Sequence, residues 1–372
     1  MSQRLTPIST PLRLTRHSIF AALLCAPLLF NPLSTLAQSD DEKRAAMNAA
    51  YRQYQEIVAQ GPQFREQSIE PARQAYELAL DVLGDANPTT AALAINYGNA
   101  LTDGDDAAEI LQHALKISEN VHGRNALELI DPLMALADSA TSHRDFAGAR
   151  RHYTRAYNIA EGQDERDPFL EAIIGTQLGT TSFSMGRMGE ARDYFTGARD
   201  KLQPIDNDIA RFRLATVNFW LGRYEISQRN YSGAIAPLQA SAETFDRFPE
   251  ARQFSVNSHT GLVEAHEGLG QRDQATPHAL FIGEGRSTAT LLYRPDFPGA
   301  LWQAGEINLL LEVDAEGFVT SARAADSGAN AELATAASAA VTGLRFAPRF
   351  ESGRAVTTSD VPFAFRFSRP PR

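Results

Sequence analysis

Histidines and carboxylates are the side chains through which this 372-residue chain could do chemistry, because Cys25 is its one cysteine. His259 and His266 stand seven apart in a segment of helical pattern, with Glu264 and Glu267 beside them. Two turns put both imidazoles on one face, but a metal asks for i, i+4 spacing or for ligands converging from other helices. No H-E-x-x-H occurs, and His143 and His152 only flank a turn, so packed or solvated histidines are the reading. Gly-x-Ser-x-Gly, a Walker loop and a dinucleotide fingerprint are absent as well. The Gly-rich "GEGRS" (283–287) follows no strand pattern and reads as a linker, while Asp105-Asp106 and Asp40–Glu42 read as helix-start or tail charges. The expectation is a protein without catalytic residues, metal or cofactor, working by binding.

The N-terminus has its own character. Arg4, Arg13 and Arg16 precede the apolar "SIFAALLCAPLLF", and Thr35-Leu36-Ala37 supply small residues at its end. That is the pattern of a secretory signal peptide, with cleavage expected after Ala37. Pro27, Asn31 and Pro32 interrupt the run, whereas a spanning helix wants about 20 apolar residues. Leu24 before Cys25 argues against a lipobox. Cleavage would remove the cysteine, leaving a periplasmic fold held without disulfides. A retained inner-membrane anchor is the alternative. Removing the three arginines takes the net charge from −10 to −13. Such acidity argues against nucleic acid, whose phosphates call for basic clusters.

The long middle of the chain beats at 42 residues. Ala107, Ala149, Ala191, Gly233 and Ala275 form one series, and Ala114, Ala156, Ala198 and Ala240 a second, seven residues on. Leu111, Tyr153, Phe195 and Leu238 supply larger apolar groups four residues after the first series, Leu238 counted from Ala234. Turn signals fall at "TSHRDF" (141–146), "SMGRMG" (184–189) and "GLGQRD" (268–273). These residues resemble the tetratricopeptide repeat over about 45–285, best in "LGTTSFSMGRMGEARDYFTGA" (178–198). "YELALDVLGDANPTTAALAINYGNAL" (76–101) is similar to the long variant of kinesin light chains. The resemblance implies about five helix pairs stacked as an α-solenoid, with 40–60 and 66–83 as the opening pair. Asn96, Asn99, Asn218 and Tyr224 fall on its expected inner helices and are the candidate groove residues.

The tail changes period. In "EINLLLEV" (306–313), Ile307, Leu309, Leu311 and Val313 alternate with more polar neighbours, only Leu310 breaking the pattern. This predicts a half-buried strand. "DAEG" (314–317) supplies a turn, Val319, Ala322 and Ala324 a return strand, and Asn330 a cap for a helix carrying Leu333, Ala336, Ala337, Ala340, Val341 and Leu344. Val361, Phe363, Phe365 and Phe367 alternate in a last strand. The fold class is therefore α+β: the solenoid, then a small three-stranded antiparallel sheet with one covering helix. Domains are expected at 1–37 (signal), 38–282 (solenoid), 283–290 (linker, with 283–298 as a hinge) and 291–372 (C-terminal domain).

Pro295, Gly317-x-Val319, Ser327-Gly328, Ala336-Ala337, Arg345-Phe346-x-Pro348, Gly353, Val356, Pro362 and Phe365 resemble the C-terminal domain of TonB-family energy transducers over about 291–367. Arg294, Asp326 and Leu344 depart from that pattern. The resemblance implies a periplasmic domain whose last strand is a sheet edge able to accept an extended peptide from an outer-membrane receptor. Val361, Phe363, Phe365 and Phe367 are the expected backbone edge. Two readings follow: a soluble adaptor of the cell envelope, or a membrane-anchored transducer in transmembrane transport.

Overall fold

The computed structural model describes residues 34–102, 104–295, 305–325 and 331–367. The apolar run at 18–30, the stretch 296–304, Ser327-Gly328 and the cap expected at Asn330 lie outside the described residues. The chain forms two compact units, 1–187 and 188–372.

The first unit is a run of helices packed each on the next: α1 (Ser34–Ala59), α2 (Arg65–Leu83), α3 (Pro88–Ala100), α4 (Gly104–His122), α5 (Ile130–Ser142), α6 (Phe146–Glu161) and α7 (Pro168–Ser184). Local chemistry sets their starts. Asn87 Oδ1 accepts from Thr89 N ahead of α3, and Pro88 needs no donor at the first helical position. Asp145 Oδ1 does the same for Gly148 N ahead of α6. Ala107, Ala114, Ala149 and Ala156 are buried, so the small residues do mark the close helix contacts.

The second unit opens with α8 (Met188–Leu202), α9 (Asp208–Ser227), α10 (Tyr231–Phe245), α11 (Arg252–Gly268) and α12 (Arg272–Gly283). Here the beat shifts. Gly233 and Ala240, expected inside, are exposed, while Ala234 and Ser241 are buried. The cause is the cap: Asn230 Oδ1 accepts from Gly233 N, as Asp145 does from Gly148 N, and the fourth residue after each cap turns inward. The turns keep the same rhythm. Left-handed residues recur at Arg144, Gly186, Arg229 and Gly270, with φ of 63°, 73°, 58° and 72°, so successive steps are 42, 43 and 41 residues. At each, the next amide reaches back five residues: Asp145 N to Ala140 O, Arg187 N to Ser182 O, Asn230 N to Glu225 O and Gln271 N to His266 O, all 2.8–2.9 Å. Larger residues fit where the partner helix has none. A Cβ on Gly222 would lie 2.4 Å from Leu238 Cγ. The helices of each unit follow the tetratricopeptide-like helix–turn–helix pattern, the α-solenoid part of the α+β fold.

After α12 come β1 (Thr290–Tyr293), β2 (Gly305–Val313), β3 (Val319–Ala324), α13 (Ala331–Val341), β4 (Arg345–Ala347), β5 (Arg349–Glu351), β6 (Arg354–Val356) and β7 (Thr358–Phe367). The main sheet is antiparallel, in the order β3-β2-β7. Ile307, Leu309, Leu311 and Val313 pack with Val319, Ala337, Val341, Leu344, Phe346 and Phe365 in one apolar core under α13. The β2–β3 turn depends on Gly317, whose φ is 91°. A Cβ there would lie 2.0 Å from Phe346 O, and Phe346 N donates to Gly317 O at 2.9 Å.

Residues 283–298, read as a hinge, instead contain β1, which pairs antiparallel with β4 through Thr290–Ala347, Leu291–Phe346 and Tyr293–Arg345. Leu292 and Tyr293 pack on Val263, Ala275, Ala279, Ile282 and Ala347, a core shared by α11, α12 and β4. Of the expected linker, 283–290, only Thr290 enters this strand, and its partner Ala347 lies 57 residues on. A small hairpin, β5–β6, was also not foreseen.

One buried cation joins this tail to the last helix pair. Arg345 is fully buried. Its Nη1 donates to Glu267 Oε1 (2.9 Å) and Arg272 O (3.3 Å), and its Nη2 to Thr276 Oγ1 (2.6 Å) and Glu316 O (3.1 Å). The Phe318 ring centroid lies 3.7 Å from the Arg345 guanidinium and 4.5 Å from that of Arg272. Arg272 Nε lies 3.2 Å from Glu267 Oε2, so one buried carboxylate serves two guanidiniums. Burial lowers the Arg345 pKa, and Glu267 works against that shift.

Candidate partner-binding site

Among the described residues β7 is the last strand of its sheet, with β2 as its neighbour. The direction of its backbone groups follows from β2. Ala325 N donates to Asn308 O, so the even-numbered residues of β2 turn their backbone groups toward β3. In an antiparallel ladder direction alternates, so Ile307, Leu309 and Leu311 turn theirs toward β7, where they face Phe365, Phe363 and Val361. Gly305 faces Phe367 in the same phase. The four residues expected to form the backbone edge therefore spend their amides and carbonyls on β2. The groups that face outward belong to Pro362, Ala364 and Arg366. Pro362 itself carried the signal: a residue without N–H fits where the ladder asks for no donor.

The side chains of β7 are sorted by face. Phe365 is buried, Val361 and Phe363 are half-buried, and Pro362 and Ala364 are exposed. Phe363 and Phe365 meet edge to face at 6.3 Å, and the Arg294 guanidinium lies 6.0 and 5.7 Å from their centroids. Burial lowers the Arg294 pKa. Of the Arg366 and Phe367 side chains nothing is described. The regular edge closes upstream at Asp360, whose φ is 57° and whose Oδ1 accepts from Arg323 Nη2 at 2.6 Å.

The groove candidates divide between the units. Asn96 and Asn99 lie on α3, half-buried and exposed in turn, one helical turn apart. Asn218 and Tyr224 lie half-buried on α9. Sequence reasoning passed over a desolvated carboxylate of the first unit, Asp138 on α5. Its Oδ1 accepts from the Tyr153 hydroxyl of α6 and, at 3.4 Å, from Gln177 Nε2 of α7. Desolvation pushes the Asp138 carboxyl above its usual range despite those bonds, and pushes the Tyr153 hydroxyl well up. The signal was present: Asp138 stands 42 residues after Asn96. In the second unit Arg223 Nη1 meets Glu264 Oε2 at 2.6 Å, between α9 and α11.

His259 and His266 do share a face of α11, and both are buried. They meet a histidine that the sequence reading did not weigh, His278 of α12. Among the described residues no group of three or more His, Cys, Asp or Glu side chains is placed to hold a metal ion. His143 Nδ1 lies 2.8 Å from Ser139 O, and burial lowers the pKa of His152. Among the described residues no helix is long and apolar enough to cross a membrane.

No protein-family description and no curated protein matches the chain. Solved structures do. PilW, a widely conserved type IV pilus biogenesis factor, is 14% identical with a TM-score of 0.46, covering 63% of this chain and 90% of its own. A putative kinesin light chain of Podospora anserina with nearly identical TPR-like repeats is 12% identical with a TM-score of 0.45, covering 57% and 98%. BtubC from P. vanneervenii is 15% identical with a TM-score of 0.44, covering 64% and 87%.

Proposed function

We propose that this chain is an exported, non-catalytic adaptor of the cell envelope that binds proteins in two ways. Helix pairs of the tetratricopeptide type offer side-chain surfaces such as those around Asn96, Asn99 and Asp138, and around Asn218 and Tyr224. The outer edge of β7 takes an extended peptide as an added strand. The observation that carries the second mode is the outward backbone of Pro362, Ala364 and Arg366 on an edge strand. An added strand would gain both groups of Ala364 and Arg366 but only the carbonyl of Pro362. The N-terminal pattern supports export, and the net acidity supports protein partners over nucleic acid. Membrane association follows only if the N-terminal segment is retained.

A second reading, a TonB-type energy transducer engaging an outer-membrane receptor, rests on the same edge together with retention of "SIFAALLCAPLLF". N-terminal sequencing of the cellular protein separates the two: a start near Gln38 supports the adaptor, an intact N-terminus the transducer. Cutting the chain at 290/291 would pass through β1, so the binding test needs the intact protein. Pull-downs from envelope extract with wild type and Ala364→Pro compare an edge with and without its central N–H. Loss of a partner in the variant supports strand addition. An unchanged set of partners contradicts it.

A further inference from the structure

The seam between α11 and α12 gathers three imidazoles. His259 Nδ1 lies 2.8 Å from His278 Nδ1. His259 Nε2 lies 3.3 Å from Asp246 Oδ2, at the end of α10. The His266 ring stacks on that of His278 at 5.9 Å, and its Nδ1 lies 2.9 Å from Gln271 Oε1. Phe281 lies against His259 at 3.9 Å and against the Arg252 guanidinium at 4.0 Å.

Two Nδ1 atoms at this distance can bond only if one carries a proton and the other a lone pair. Asp246 sets the order. Its carboxylate accepts Nε2–H of His259, leaving His259 Nδ1 to accept from His278 Nδ1–H. One added proton can still be shared. A second aims two N–H donors at each other and places two charges in contact. Asp246 favours protonation, while Arg252 and His266 oppose it. Of the other charges around these helices, Arg223 of α9 and Glu264 of α11 pair with each other, Glu267 and Arg272 belong to the Arg345 cluster, and Asp273 opens α12.

The same seam grips the tail. Glu267 follows His266, and Thr276 stands two residues before His278; both accept from Arg345. We propose that His259 and His278 form an acid-operated latch on the C-terminal sheet: protonating both parts α12 from α11 and releases Arg345. Desolvation first, then the charges of His259 and His266, lowers the His278 pKa to about 4, and burial lowers that of His259. Both groups bind protons less well in the folded than in the unfolded chain. Their contribution to stability is therefore whole above the ordinary imidazole value near 6.5 and is lost as pH falls from there toward 4.

Hydrogen exchange of the full chain, at pH 7.5 and 4.5 with intrinsic rates corrected, tests the latch. In wild type, peptides from α12, β1 and β4 should lose roughly tenfold or more of their protection at the lower pH, beyond any loss in α2 and α3. His278→Gln should abolish that selective loss, and His259→Gln serves where the first variant fails to fold. No selective loss in wild type, or the same loss in a folded variant, overturns the proposal. So does an NMR titration of the wild-type His278 imidazole with a midpoint at or above that of a free imidazole.

Discussion

The repeat helices and the tail junction are held by different means. Within the helix pairs, contact is apolar and periodic: Ala149, Ala191, Ala234 and Ala275 are each wholly buried, and Leu238 fills the space that Gly222 leaves. At the junction, an apolar core of Val263, Ala279 and Ala347 is joined by a buried polar contact. Arg345 reaches from β4 to Glu267, 78 residues earlier, and to Thr276. A solenoid extends by rule, because each pair repeats the last, whereas this one meets its sheet through a specific long-range contact. Area burial stabilises the first in many small increments. The second adds to such burial one ion pair, which is costly to break.

Breaking the junction should give the largest effect. Arg345→Ala leaves Glu267 buried with only Arg272 beside it, and should destabilise the second unit by about 3–5 kcal/mol in urea denaturation. A loss below that of an ordinary surface substitution would mean that the apolar core of Val263, Ala279 and Ala347 holds the tail by itself. Overpacking the helix stack should cost less. Gly222→Ala forces a methyl against Leu238 and should cost about 1–3 kcal/mol; adding Leu238→Ala, which removes the clashing Cγ, should cost less in that background than in wild type, a non-additivity that identifies direct contact. The smallest effect is a gain. Arg229 sits at φ 58° in the turn where Gly186 and Gly270 stand in their own pairs, so Arg229→Gly should stabilise by about 0.5–1 kcal/mol in thermal unfolding.

These regions also differ in what could be read from residues alone. The repeat was legible because small residues at a fixed step leave a pattern in one dimension, as was the alternation of Ile307, Leu309, Leu311 and Val313. The one-residue shift at Ala234 was not, because it depends on which side chain, Asn230, caps α10. Strand β1 was hidden in a segment, 283–298, whose Gly, Ser, Thr and Pro content suggested a hinge, since its pairing with β4 is set by a distant partner. The role of Arg345 was invisible for the same reason: a cation in an apolar strand declares a partner but not which one. On β7, apolar spacing put Val361, Phe363 and Phe365 on one face, of which Phe365 is buried and the other two half-buried, while leaving the in-plane direction of the backbone undetermined. Pro362 was the one residue able to fix it. His278 was missed because it belongs to a different helix from His259 and His266.

Among the described residues β7 turns Pro362, Ala364 and Arg366 outward and bonds to β2 through Val361, Phe363 and Phe365. Residue-resolved amide exchange of the isolated protein tests this most directly. The Ala364 amide should exchange about 100-fold faster than those of Phe363 and Phe365 on either side of it. An Ala364 amide protected as well as its neighbours would contradict it, because the edge would then already be occupied.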